Sequence, residues 1–209
     1  MLKNYSKNQD GVIYQIEKEI FNYDDNYVET SYNSLGILTT HMAYLRLGNL
    51  VSSLGRIPDS ILDVGYGNGS FLKEALKAIP DCSGYDISKY PIPNGCKAVD
   101  NMFDRHYDVV TFFDSLEHFK CIEFVKDLDC RAVCVSVPNC HYIDDEWFKN
   151  WKHRKPNEHL WHFSLIPLIN FMERMNFKLM NSNNVEDVIR KNPNQKQTNI
   201  LTCVFKKII

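Results

Sequence analysis

The stretch Ile61-Leu62-Asp63-Val64-Gly65-Tyr66-Gly67-Asn68-Gly69-Ser70-Phe71-Leu72 limits what this chain can fold into more than any other. A short apolar run entered after Pro58 meets a glycine-rich turn. The turn opens a helical pattern with Phe71, Leu72, Ala75, Leu76 and Ile79 on one face, closed by Pro80. Buried strand, tight turn and helix in that order begin an α/β unit. Glycines there let the backbone bend sharply and let a ligand lie against the chain with no Cβ in the way. In open α/β sheets ligands bind at the C-terminal ends of the strands, so this turn is where a cofactor is expected.

The rest of the chain alternates in the same manner. Strands are expected at residues 83–87, 97–99, 107–113 and 131–137, and helices at 38–54, 115–128 and 164–175. Two last strands, at 177–180 and 199–205, follow each other without an intervening helix. The pattern predicts a doubly wound α/β fold, with a mostly parallel seven-stranded sheet and one antiparallel strand near its edge. Residues 1–55 read as an N-terminal arm and helix covering the cofactor site, and residues 56–209 as the core, with 139–163 as a lid-like insert. Trp147, Trp151 and Trp161 in that insert suit either plain packing or a lid over a planar or sugar-like acceptor. Tyr27 and Tyr32 suit either closure over the cofactor or anchoring of the arm, and the polar run 181–197 reads as a linker or hairpin loop.

The spacing of the turn separates two ligand classes. Dinucleotide-binding turns read G-x-G-x-x-G, whereas this one reads G-x-G-x-G, with Ser70 in place of the third dinucleotide glycine. Asp63, inside the strand, suits a ligand bearing an ammonium group better than a pyrophosphate. That favours S-adenosylmethionine over NAD.

The turn resembles the first motif of the class I S-adenosylmethionine-dependent methyltransferases, and further pieces follow in that family's order. Asp86-Ile87 ends the second strand, where an acid holds the ribose hydroxyls. Val99-Asp100-Asn101 follows the third strand, where the family meets the adenine edge. Tyr107-Asp108-Val109-Val110, then Asp114-Ser115-Leu116-Glu117-His118-Phe119, is similar to the fourth-strand block of the quinone-ring and sugar methyltransferases. So are Ser136-Val137-Pro138-Asn139 and Glu158-His159-Leu160-Trp161-His162-Phe163-Ser164. The resemblance covers residues 55–180 and implies a Rossmann-like methyltransferase fold with S-adenosylmethionine as cofactor. It assigns the cofactor to Asp63, Gly65, Gly67, Gly69, Asp86, Ile87, Asp100, Asn101 and Asp114. It also implies a small-molecule acceptor methylated on oxygen, nitrogen or carbon.

Methyl transfer from a sulfonium works by alignment and exclusion of water. A general base helps where the acceptor is a hydroxyl or an acidic carbon. His159 and His162, then His118, are the candidates, because histidine titrates near neutrality. Plainer roles stay open beside these: Glu117 and His118 as helix-capping and packing residues, Asp86 as a strand-end acid, the glycine turn as an empty loop. Tyr66, large for its place in the turn, is expected to point away from the ligand.

Charge and cysteine usage narrow the class. With 24 basic and 26 acidic residues the formal charge is -2, which argues against a nucleic-acid clamp. A nucleic-acid or protein methyltransferase would need a basic groove or an added recognition domain. A non-catalytic S-adenosylmethionine-binding protein is the other alternative. The seven cysteines are odd in number and irregularly spaced, and they read as reduced thiols of a cytoplasmic protein. No Cys-x-x-Cys hook is present, and the histidines at 141, 153, 159 and 162 are scattered, so no metal site is expected. Neither a signal peptide nor a membrane span is expected, and the oligomeric state is left open.

Overall fold

Residues 1–19, 37–88, 90–190 and 197–208 are described by the computed structural model. Its main sheet has seven strands: β3 (Ser60–Val64), β4 (Asp81–Tyr85), β5 (Lys97–Ala98), β6 (Tyr107–Phe113), β7 (Cys130–Pro138), β9 (Phe177–Asn183) and β10 (Ile200–Lys207). They lie in the order β5-β4-β3-β6-β7-β10-β9. The pairs β4–β5, β3–β4, β3–β6 and β6–β7 are parallel, and β10 runs antiparallel to both of its neighbours. The single reversed strand therefore stands next to the edge, as the sequence pattern predicts.

β6 is buried along its whole length because both of its faces are covered, the signature of a central parallel strand. Alternate side chains go to opposite layers. Leu62, Val110 and Val133 pack with Leu168, Phe171 and Met172 of α4 (Leu165–Arg174). Ile61, Val109 and Ala132 pack with Leu50 of α1 (Leu38–Leu54) and with Phe71 and Leu72 of α2 (Ser70–Ala75).

A second, three-stranded sheet joins the N-terminal segment to residues 161–162. β1 (Tyr5–Lys7) pairs with β2 (Ile13–Gln15), and β2 pairs with β8 (Trp161–His162). The Arg174 guanidinium donates to the Asp10 carboxylate over 2.6 Å and ties this sheet to α4. The 139–163 segment also holds a short helix, α3 (Asp145–Asn150), whose N-cap Asp144 accepts from the Trp147 N–H.

Three expectations are corrected. The helix expected over 115–128 is replaced by two 3-10 turns, Leu116–His118 and Glu123–Asp127. Carbonyls that an α-helix would use internally are taken from elsewhere: Glu117 O accepts from Leu160 N, Phe119 O from Trp161 Nε1, and Lys120 O from Lys18 Nζ. Within the polar run, β9 extends to Asn183 and α5 (Asp187–Arg190) follows. The helix after the glycine turn ends at Ala75, before the residues expected to complete it. Tyr27 and Tyr32 lie outside the described residues. All seven cysteines are free thiols and five are buried. No helix among the described residues is long and apolar enough to cross a membrane.

Candidate active site

β3 delivers Asp63 and then the turn, whose Gly65, Gly67 and Gly69 all have positive φ (79°, 53° and 72°). A Cβ at Gly65 would stand 2.6 Å from the Ser115 Cβ, and one at Gly69 2.5 Å from the Pro93 Cδ. Conformation and crowding both demand glycine at these two positions. Asp86 buttresses the turn from the end of β4: it accepts from the Gly67 N–H at 2.8 Å and from the Ser88 N–H at 2.8 Å. Each carboxylate oxygen carries two lone pairs, so a further donor can still be accepted.

Beside the turn lies a cleft of about 420 Å³, walled by α1, the turn, the 113–118 segment, residues 152–159 and Arg190. Asp63, Gly65, Asp114, His118 and His159 line it. Asp63 is buried and accepts from the Thr111 hydroxyl at 2.7 Å. Burial pushes its carboxyl up to about 6, against the pull of that hydrogen bond and of the Arg46 charge.

Asp114 has φ 54° and is gripped by two arginines. Arg46 Nη2 donates to it at 2.9 Å and Arg190 Nη1 at 2.7 Å, while both guanidiniums also donate to Glu186. Burial disfavours the Asp114 charge, but the two cations outweigh it and hold the carboxyl well below the ordinary carboxylate range. The four charges balance, and Arg46 stacks over the Phe113 ring at 4.4 Å. Sequence reading missed Arg46, Glu186 and Arg190. The Glu186/Arg190 spacing of i,i+4 was the available signal for a helical ion pair within the polar run.

The candidate histidines separate. His118 and His159 meet edge to face in the cleft wall, with ring centroids 4.7 Å apart. His162 does not line the cleft: β8 turns it into a cluster with Tyr5, Phe148 and Trp151, at 3% exposure. Burial lowers all three, His159 to about 2 and His162 to about 3. The reason for choosing them as bases, titration near neutrality, is therefore removed by burial. They stand as neutral imidazoles.

Glu117, on the same turn as His118, is 1% exposed, and burial raises its carboxyl well above the ordinary range. Glu117, His118 and His159 each place a ligand-type atom within 4.8 Å of the others, a grouping the sequence spacing did not suggest.

Other predicted residues lie outside the lining. Ile87 is 65% exposed, because β4 has already ended at Tyr85. Asp100 and Asn101 are exposed, and the Asn101 side chain caps its own turn by accepting from the Phe103 N–H at 3.1 Å. Trp147 and Trp151 stack on each other and Trp161 packs on Tyr14, so packing describes their contacts. Tyr66, expected to point away from the ligand, does line the cleft, while its hydroxyl donates to the Tyr90 carbonyl and anchors the proline-marked 90–95 loop.

Residues 40–182 match the model of a family described as a methyltransferase domain. No curated protein matches the chain in sequence. Among solved structures, it is similar to the Burkholderia thailandensis 1,6-didemethyltoxoflavin-N1-methyltransferase with bound S-adenosylhomocysteine. That likeness has TM-score 0.60 and 12% identity over 99% of this chain and 100% of that one. An S-adenosylmethionine-dependent methyltransferase from Clostridium acetobutylicum gives TM-score 0.61 and 8% identity over 88% of this chain and 98% of that one. Magnesium protoporphyrin IX methyltransferase from Synechocystis gives 0.56 and 14%, over 90% of each chain. At such identities these likenesses establish the fold.

Proposed function

We propose, from the premise that this chain belongs to the methyltransferase-domain family and is an S-adenosylmethionine-dependent methyltransferase, that its acceptor is a small molecule received in the cleft beside the glycine turn. The observation that carries the reading is the cleft itself: about 420 Å³, concave, and lined by Asp63 and Gly65 on one side and by His118, His159 and the paired Asp114, Arg46 and Arg190 on the other. That volume lies in the range of small-ligand sites. The near-balanced charge of the chain supports the same reading, as does the toxoflavin-precursor enzyme, whose fold is matched over its whole length.

The residues fit the cofactor. The Gly65 position is a cradle that a Cβ would fill, and Asp63 is a buried carboxylate available to an ammonium group. Gly67 and Gly69 complete the cradle, and Asp86, fixed by the Gly67 N–H, is the acid for the ribose hydroxyls. When bound, S-adenosylmethionine supplies a methyl group on a cationic sulfur, for in-line transfer to a nucleophile. The chain's part is alignment and a suitable field. His118 and His159, held neutral by burial, present uncharged imidazoles to the cleft. Arg46 and Arg190 are neutralised by Asp114 and Glu186, so they stiffen the wall without adding net charge to it.

The test is a metabolite extract incubated with the protein and methyl-labelled S-adenosylmethionine, with label followed by mass. Label in a low-mass product is the expected result. Label confined to RNA or protein, or none taken up by any fraction, overturns the proposed acceptor class.

A further inference from the structure

We propose that Glu117, His118 and His159 bind one divalent first-row transition-metal ion in the wall of the cleft. The placement is built by the fold: the 3-10 turn Leu116–His118 sets two of the ligands side by side. The Leu160 N–H donates to the Glu117 carbonyl at 2.8 Å and brings His159 alongside. Their ligand atoms lie within 4.8 Å of one another. Bonds of about 2.0–2.2 Å to one ion need ligand atoms roughly 3–3.5 Å apart, so side-chain rotations of about 1 Å close the set.

The second observation is the Glu117 carboxyl group. Both of its oxygens are buried and make no hydrogen bond, and the nearer one stands 4.0 Å from His118 Nε2. An unpaired buried carboxyl costs free energy that a cation between it and the two imidazoles would recover. The charged side chains acting on these ligands include Lys155, Glu158, Asp114 and Arg190. The Lys155 ammonium donates to Glu158 at 2.8 Å, and that same carboxylate oxygen lies 3.7 Å from His159 Nε2. Asp114 is matched by its arginines. The nearest cations, Lys155 and Arg190, are thus each paired with a carboxylate.

Two imidazoles and one carboxylate select manganese, iron, cobalt or zinc rather than magnesium or calcium, which prefer oxygen alone. Three protein ligands leave coordination positions open, and all three line the cleft. The ion's role, unlike its site, rests on the function proposed above: it would hold the acceptor's oxygen. A hydroxyl so bound releases its proton to solvent at neutral pH, the electron pair staying on oxygen as the nucleophile. The acceptor atom is then oxygen.

Titration of the EDTA-treated full chain with Mn2+, Co2+ and Zn2+ by calorimetry, with no cofactor present, tests the site. One saturable site per chain is expected, with Co2+ absorption bands typical of nitrogen and oxygen ligands. Glu117→Gln and His159→Gln should each weaken the affinity by about a hundredfold or more, while the surface variant His106→Gln leaves it unchanged. Should those variants unfold, paramagnetic displacement of two histidine ring resonances by Co2+ in the unmodified protein serves in their place. Absence of saturable binding, equal binding by folded Glu117→Gln, or undisplaced histidine resonances overturns the site. S-adenosylmethionine binding by the metal-free chain, measured separately, keeps this failure distinct from failure of the methyltransferase reading.

Discussion

Buried at 3% exposure, with the Thr111 hydroxyl donating to it, Asp63 ionises reluctantly until a cation arrives. Its folded carboxyl value of about 6 lies above the ordinary unfolded one, so folding favours the protonated form. That contribution to the stability of the ligand-free chain is fully present below about 4 and is lost as pH rises through about 6. A ligand ammonium reverses the preference by favouring the carboxylate. Affinity for S-adenosylmethionine should therefore climb with pH and level off above 6. Calorimetry should find binding about tenfold weaker at pH 5 than at pH 7. In Asp63→Asn the affinity should be lower and independent of pH over that range. A flat profile in the unmodified protein would refute the assignment. Asp63 was legible in the sequence because strand, acid and glycine turn are contiguous. Its neighbour Arg46 was not, since that residue's partners stand 68 and 140 positions away and no local pattern marks such a pair.

The glycine turn is the element on which the site is hung, and its tolerance is narrow. Gly65 adopts φ 79°, and a Cβ there would lie 2.6 Å from the Ser115 Cβ. Ser115 has little freedom to retreat, because its hydroxyl donates to the Val64 carbonyl at 2.6 Å. Gly65→Ala should thus cost about 1–3 kcal/mol from conformation alone, with the crowding added to it. It should lower Tm by several degrees and remove measurable cofactor binding. An alanine variant with unchanged Tm and affinity would show that the turn relaxes freely. The same scale explains where the element predictions departed from the structure. The strand–turn–helix unit was readable because its signals are local. The 115–128 helix was not excluded by any local signal: Trp161 and Lys18 claim its carbonyls, and both come from distant segments. Likewise α5 exists in a polar run because Asp187 accepts from the Asn199 and Ile200 N–H groups, and because Glu186 and Arg190 face Asp114 and Arg46.

At the scale of the molecule, the main sheet follows from the alternation of elements, but the small sheet does not. Strands of two or three residues carry no periodicity, and β2 meets β8 across most of the chain. The consequence is mechanical. The N-terminal strands hold β8, and β8 follows directly on Glu158, His159 and Leu160, so the first residues fix one wall of the cleft. Val12 at 0%, Ile13 at 4% and Tyr5 at 7% exposure are buried in this arrangement, Tyr5 against Phe148 and His162. Removing residues 1–18 should strip cover from Trp151 and Trp161, each now 8% exposed. Tryptophan emission should shift to the red and become open to iodide quenching, with a lower Tm. The glycine turn, built on β3 and β4, should survive, so cofactor binding should weaken far less than in Gly65→Ala. If the truncated chain kept its emission spectrum and Tm, the arm would be an ornament, and the position of His159 would have to be set by the core alone.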